Sequence, residues 1–139
     1  MMSASFELKE GSPLPAVIKK ITQDNINLYA KASGDFNPIH IDADYARKTP
    51  FGGTVAHGML ILAYISQMLT SAFGQQWLTS GKLNVRFRAP ARPGDVITVS
   101  GSIRRIEKGD GYQAIECNVL CSNQHDDPVI IGEAKVKVK

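Results

Sequence analysis

An acid and a histidine stand five positions apart in this chain, at Asp35 and His40, with a glycine and a proline in the same segment. The glycine and the proline disfavour one continuous helix there, so the two side chains belong to an irregular stretch. A carboxylate and an imidazole held close together suit paired proton transfers. A second histidine, His57, is followed by Gly58 and a long apolar stretch, which indicates a helix start whose backbone N–H groups could hold an anionic oxygen. The window Ser33–Gly58 therefore has the composition of an active site.

Three helices are predicted around this window from their cap residues and apolar spacing. The first ends just before the acid, and the second is short. The third is apolar on nearly every side, so we expect other elements to enclose it. In order, they run from Thr22 to Gly34, from the cap Asp42 through Ala46, and from His57 or Gly58 to Gly74.

Alternating apolar and polar residues predict strands before and after these helices. One short strand comes first, and we expect the four strands after the last helix to form an antiparallel meander. One buried helix beside such strands predicts an α+β fold, in which a curved antiparallel sheet wraps around the long helix in the hot-dog arrangement. We expect a single domain over residues 1–139. The predicted strands are 15–21, 83–88, 96–106, 112–121 and 129–138.

A single sheet around one helix leaves strand edges and part of its apolar surface uncovered. Pairing of two copies of the chain would cover them. We therefore expect a homodimer.

The composition limits the other classes of partner. Sixteen Lys and Arg against thirteen Asp and Glu leave a net charge of +3, a surplus too small to indicate nucleic acid. The longest apolar region, Met59–Phe73, is interrupted by polar residues and falls short of the roughly 20 residues of a membrane span. No leader pattern opens the sequence, which predicts a cytoplasmic location. Cys117 and Cys121, if they share one strand, lie about 13 Å apart, too far for a disulfide, and no metal-ligand spacing involves them.

The residues around the acid and the first histidine closely resemble a known family signature. The run from Tyr29 to His40, YAKASGDFNPIH, resembles that of the R-specific enoyl-thioester hydratases of the MaoC-like group. This resemblance implies a hot-dog fold, a homodimer, and reversible addition of water to a trans-2-enoyl thioester, giving an (R)-3-hydroxyacyl thioester, without a metal or an organic cofactor. Coenzyme A is expected ahead of acyl carrier protein as the carrier. The resemblance continues through Phe51–Met59, Asn84–Phe87, Pro93–Asp95 and Gly132–Ala134.

The resemblance also implies roles for individual residues. Asp35 and His40 become the catalytic pair, with a water molecule held between them and the C2=C3 bond. We expect Asp35 to activate the water and His40 to orient it and manage the proton at C2, although the two roles are exchangeable. The Gly58 N–H is the expected donor to the thioester oxygen as that oxygen gains negative charge. Ser66 matches a position where related hydratases place a small polar residue near the acyl group.

Three further residues are expected to hold the site in place. Asn37 matches the family motif and is expected to order the loop through side-chain hydrogen bonds. Pro38 stiffens the loop and biases Asn37 toward extended backbone geometry. His57 is expected to cap or brace the start of the long helix rather than to take part in catalysis.

Two alternative functions fit the same residues. His40, Asp42 and His57 imitate the two-histidine, one-carboxylate pattern of non-haem iron sites, although Asp42 is better used as a helix cap. A hot-dog protein could instead bind acyl thioesters without catalysis, or serve as the structural subunit of a heterodimeric dehydratase. The complete set of Asp35, His40 and Gly58 favours the hydratase, because a structural partner has no chemical need for it.

Overall fold

The computed structural model describes residues 7–139. In this part of the chain, one short strand comes first, five helices follow, the fourth of which is the longest, and four strands complete the chain. Within this range, no helix is both long enough and apolar enough to cross a membrane. The elements in chain order are β1 (Val17–Lys20), α1 (Gln23–Ser33), α2 (Pro38–Ile41), α3 (Ala43–Arg47), α4 (Gly58–Phe73), α5 (Gln75–Ser80), β2 (Lys82–Phe87), β3 (Val96–Lys108), β4 (Gln113–Ser122) and β5 (Pro128–Val138).

The strands form one antiparallel sheet in the order β1-β3-β4-β5-β2, which confirms the predicted α+β hot-dog architecture. β3, β4 and β5 form a meander as predicted, but the prediction that β2 precedes β3 in that meander is wrong. β2 pairs with β5 instead, with Lys82 opposite Lys135. Residues 88–95, which connect β2 to β3, contain two prolines and make no tight hairpin. They pass the start of α4, where Ala56 N–H donates to the Ala91 carbonyl oxygen at 2.8 Å.

The long helix α4 packs against one face of the sheet and forms the centre of the core. Along this helix, Ile65, Met68 and Leu69 are fully buried. Met59 is 56 % exposed and Ala63 is also exposed, so the expected enclosure of the helix does not extend to this stripe within one chain, because a single sheet covers only one side of a helix. The inward-facing residues of the sheet that complete the core are Ile97, Val99, Ile103, Ile115, Cys117, Val119, Cys121, Ile130, Ala134, Val136 and Val138.

Cap residues begin and end α1, and begin α3, where the sequence predicts. Thr22 Oγ1 accepts from Asn25 N–H at 3.1 Å, and Gly34 closes α1 with a left-handed φ of 80°. Asp42 Oδ1 caps α3 by accepting from Tyr45 N–H at 3.1 Å. The sequence pattern does not predict α2 and α5, which have four and six residues and are too short for a helical period to stand out.

The two cysteines face the core of the sheet as free thiols. Burial raises the pKa of both Cys117 and Cys121 to about 12. Since the thiolate is the nucleophilic and metal-binding form, neither side chain is poised for chemistry in the folded chain.

Candidate active site

Asp35 is held just beyond the C-terminus of α1. The left-handed conformation of Gly34 turns the chain out of the helix, and residues other than glycine rarely adopt it. Asp35 N–H then donates to Ser33 Oγ at 3.1 Å, while Asp35 Oδ1 accepts from Asn37 N–H at 3.2 Å. One carboxylate oxygen therefore fixes the turn, and the other, Oδ2, is left to face His40.

His40 lies in α2, the short helix that follows. Asn37 Oδ1 caps this helix by accepting from Ile39 N–H at 3.1 Å, and Pro38 occupies its first turn. His40 Nδ1 donates to the Val55 carbonyl oxygen at 2.8 Å, because a carbonyl oxygen can only accept. In the neutral imidazole, Nε2 then carries the lone pair that points toward Asp35.

The two reactive atoms, Asp35 Oδ2 and His40 Nε2, lie 3.9 Å apart. That separation is too long for a direct hydrogen bond and short enough for one water molecule to bond to both atoms. The His40 side chain is 13 % exposed and that of Asp35 is 51 % exposed. The pair is therefore open to solvent on its carboxylate side and shielded on its imidazole side.

His57 is buried directly against this pair, at 2 % exposure. Its Nε2 donates to the Asp35 carbonyl oxygen at 3.0 Å, and its ring stacks on that of His40 with centroids 3.8 Å apart. The Tyr29 ring also contacts the His57 ring, with the two ring centroids 4.8 Å apart. His57 occupies the N-cap position of α4, but its side chain makes no cap hydrogen bond. Of the two forms of support expected of His57, its contacts favour bracing.

Gly58, the first residue of α4, adjoins a mostly apolar cavity of about 330 Å³ whose walls include Phe51, Ile61 and Phe87. The Gly58 N–H has no hydrogen-bond partner among residues 7–139, as is usual in the first turn of a helix. A Cβ atom at position 58 would lie 2.9 Å from Phe87 Cε1. The free donor and the cavity thus meet next to His57.

Ser66 lies further along α4 and is not brought to the pair. It is about 12 Å from Gly58 at the standard helical rise. Its Oγ accepts a hydrogen bond from Trp77 Nε1–H at 3.3 Å, and it does not line the cavity beside Gly58. The expected contact between Ser66 and an acyl group stays a prediction.

Two residues that contact His40, and a third that contacts one of them, are not predicted from the sequence. Val55 contributes its backbone carbonyl, which any residue type supplies, so its side chain gives no signal. Gln23 Nε2 donates to the His40 carbonyl oxygen at 2.8 Å, and Gln23 Oε1 accepts from Thr54 Oγ1 at 2.8 Å. A glutamine at the start of a helix and a threonine in a loop are ordinary polar residues until these contacts are seen.

The structure corrects the metal hypothesis. Asp42 caps α3 instead of facing the histidines. The carboxylate near His40 and His57 is that of Asp35, and one potential ligand atom from each of these three side chains lies within 4.8 Å of the others. The imidazole planes of His40 and His57 are stacked, only 26° from parallel, so their in-plane lone pairs do not converge on one ion. His40 Nδ1 and His57 Nε2 donate to backbone carbonyls, which leaves His40 Nε2 and His57 Nδ1 as the ring atoms that could bind a ligand. The stacking of the two rings, rather than these hydrogen bonds, disfavours chelation by both.

A curved antiparallel sheet around a long helix defines a hot-dog protein, and an Asp–His pair lies beside the N-terminus of that helix. Comparison with known proteins agrees. The sequence model of the MaoC like domain matches residues 7–124. The chain belongs to the MaoC-like family, which confirms the resemblance of its motif.

Individual relatives cover most of the chain. The (R)-specific enoyl-CoA hydratase of Rhodospirillum rubrum is 34 % identical over 132 residues, which are 95 % of this chain and 89 % of that protein. The 3-hydroxyacyl-thioester dehydratase Z of Mycobacterium tuberculosis is 37 % identical over 123 residues, 84 % of this chain and 82 % of that protein. The solved structure of the unliganded R-hydratase PhaJ1 from Pseudomonas aeruginosa matches with a TM-score of 0.81 at 28 % identity, over 95 % of this chain and 83 % of that chain.

Proposed function

We propose that this protein catalyses the reversible hydration of trans-2-enoyl thioesters, carried on coenzyme A, to (R)-3-hydroxyacyl thioesters. The observation that carries the proposal is the 3.9 Å gap between Asp35 Oδ2 and His40 Nε2, in a chain of the MaoC-like family. The names of the relatives support the reaction class and its stereochemistry. The site supports it because hydration requires a group that takes a proton from water and a group that returns one to carbon.

The geometry suggests how water adds. A water molecule bonded to Asp35 Oδ2 and His40 Nε2 loses a proton to one of them as its oxygen bonds to C3. A proton then passes from the pair to C2, so that water is added with no net change in the protonation of the protein. His40 Nδ1 stays bonded to the Val55 carbonyl, which keeps Nε2 as the atom that exchanges the proton. Both assignments of the two roles use these same two atoms.

The thioester oxygen gains negative charge as C3 is attacked. The unpaired N–H of Gly58 is the donor that stabilises this charge, aided by the positive N-terminal end of α4. The cavity beside Gly58 has walls that include Phe51 and Phe87, which suit an apolar part of the thioester substrate. No metal or organic cofactor is needed for these steps.

Hydration of crotonyl-CoA, followed by the loss of enoyl-thioester absorbance, tests this proposal. We expect Asp35→Asn and His40→Ala each to lower kcat by about 100-fold or more. Asp110→Asn and His125→Ala make the same chemical changes in exposed turns and should leave kcat near that of the parent. Unchanged rates in both site variants would refute the assigned pair. Repeating the assay with the acyl-carrier-protein thioester tests the carrier.

We further propose that the active unit is a homodimer. β1 and β2 are the edges of the sheet, and the exposed apolar side chains of Met59, Phe51 and Phe87 lie near Gly58. Light scattering on the purified chain should give twice the mass of one chain, and a monomer that retains full activity would contradict this proposal.

A further inference from the structure

The side chain of Gln23 makes three hydrogen bonds at the start of α1. Its Nε2 donates to the His40 carbonyl oxygen at 2.8 Å and to Asn27 Oδ1 at 2.9 Å, and its Oε1 accepts from Thr54 Oγ1 at 2.8 Å. The orientation of the amide is fixed by chemistry, because the His40 carbonyl can only accept and so must face the NH₂ group. Both donor hydrogens and the acceptor oxygen of Gln23 are therefore used.

Gln23 thereby joins the two segments that hold the His40 ring. One segment is α2, where Gln23 donates to the backbone carbonyl of His40 itself. The other is the loop at Thr54, and the next residue, Val55, supplies the carbonyl that accepts from His40 Nδ1 at 2.8 Å. The same Val55 donates its N–H to the Ile39 carbonyl at 3.2 Å. If either segment moves relative to the other, the Nδ1 hydrogen bond lengthens and the ring can rotate.

We propose that Gln23 is a positioning residue for catalysis, which holds His40 Nε2 at its working distance from Asp35 through Thr54 and Val55. The inference rests on the proposed hydratase function. Gln23 reaches the reacting atoms only through these neighbours, so its loss should lower kcat and should not weaken substrate binding. A misplacement of about 1 Å is enough to slow an enzyme by about 100-fold, and loss of one of several supports should slow this one by about 10-fold.

Gln23→Glu separates positioning from folding. The carboxylate still accepts from Thr54 Oγ1 but cannot donate to the His40 carbonyl. Position 23 is the first residue of α1, where a negative charge favours the helix and offsets part of the cost of the lost hydrogen bond, so the melting temperature should fall only slightly. With crotonyl-CoA we expect kcat to fall by about 10-fold while KM stays within about twofold of the parent.

Thr54 and Asn27 supply the matched variants. Thr54→Val keeps the shape of the side chain and removes the hydroxyl, and it should lower kcat as Gln23→Glu does. Thr54→Ser restores the hydroxyl and should restore kcat. Asn27→Ala removes only the third, exposed bond of Gln23 and should leave kcat within about twofold of the parent.

The nitrogen-15 NMR signals of His40 give a readout that needs no substrate. In the parent, Nδ1 should carry the proton, and its exchange with water should be slow. In Gln23→Glu and Thr54→Val that exchange should be at least about 10-fold faster. If the parent fails to hydrate crotonyl-CoA, the proposed function fails while the NMR comparison still tests the support of His40. Parent-like kcat and parent-like Nδ1 exchange in Gln23→Glu would overturn the inference.

Discussion

Replacing Gly58 by proline removes the proposed oxyanion donor and little else. Gly58 is the first residue of α4, where proline is favoured in helices, and its N–H has no partner among residues 7–139 to lose. His57, with φ −58° and ψ 133°, already has the extended conformation that a residue before proline requires. The added Cβ must displace the Phe87 ring, which is 54 % exposed.

Gly58→Ala is the matched control, because it displaces Phe87 in the same way and retains the N–H. Loss of one oxyanion donor lowers kcat by about 100- to 1,000-fold, equivalent to about 3 to 4 kcal/mol. We therefore expect kcat for crotonyl-CoA to fall by that factor from the alanine to the proline variant. The melting temperatures of the two variants should be similar, which thermal unfolding checks. A proline variant within about threefold of the alanine variant would show that Gly58 N–H does not stabilise the transition state.

Two further predictions follow from buried groups. His57→Phe retains the stack on His40 but loses the donor to the Asp35 carbonyl; we expect a loss of about 1 kcal/mol in the free energy of unfolding and about 10-fold in kcat. Inactivation as deep as that of Asp35→Asn would instead place His57 in the proton transfer. Burial raises the pKa of Cys117 and Cys121 to about 12. At a pH above the ordinary pKa of a thiol, these two side chains therefore ionise in the unfolded chain before they ionise in the folded one. The free energy of unfolding consequently falls as the pH rises. The free energy of unfolding, from urea titrations, should fall by up to about 1.4 kcal/mol per pH unit for each thiol, and a variant with alanine at both positions should lose that slope; equal slopes would contradict the prediction.

The parts of the site set by short-range contacts could be predicted from the sequence. Gly34 ends α1 and turns the chain at Asp35, and the Asn37 side chain orders the loop by accepting from Ile39 N–H. Each of these effects spans only a few residues, so the residue types themselves indicate the local geometry. The motif then predicted a catalytic role for Asp35 and His40, which stays a prediction.

The contacts between distant segments could not be predicted in the same way. The hydrogen bond from His40 to Val55 uses a backbone carbonyl, and the support from Gln23 joins residues that lie 17 positions apart. The pairing of β2 with β5 also depends on how the chain crosses the start of α4, and alternating apolar residues predict a strand but not its neighbour. These features follow from the packing of the whole chain.

The most direct test of joint action by Asp35 and His40 on one water molecule is a double-variant comparison. It measures kcat for crotonyl-CoA hydration in the parent, Asp35→Asn, His40→Gln and the variant that carries both changes. If the two residues act as one unit, each single change lowers kcat by about 100-fold or more, and the double variant is only slightly slower than the slower single variant. Independent, multiplying effects, or a single variant with the rate of the parent, would contradict a shared catalytic role.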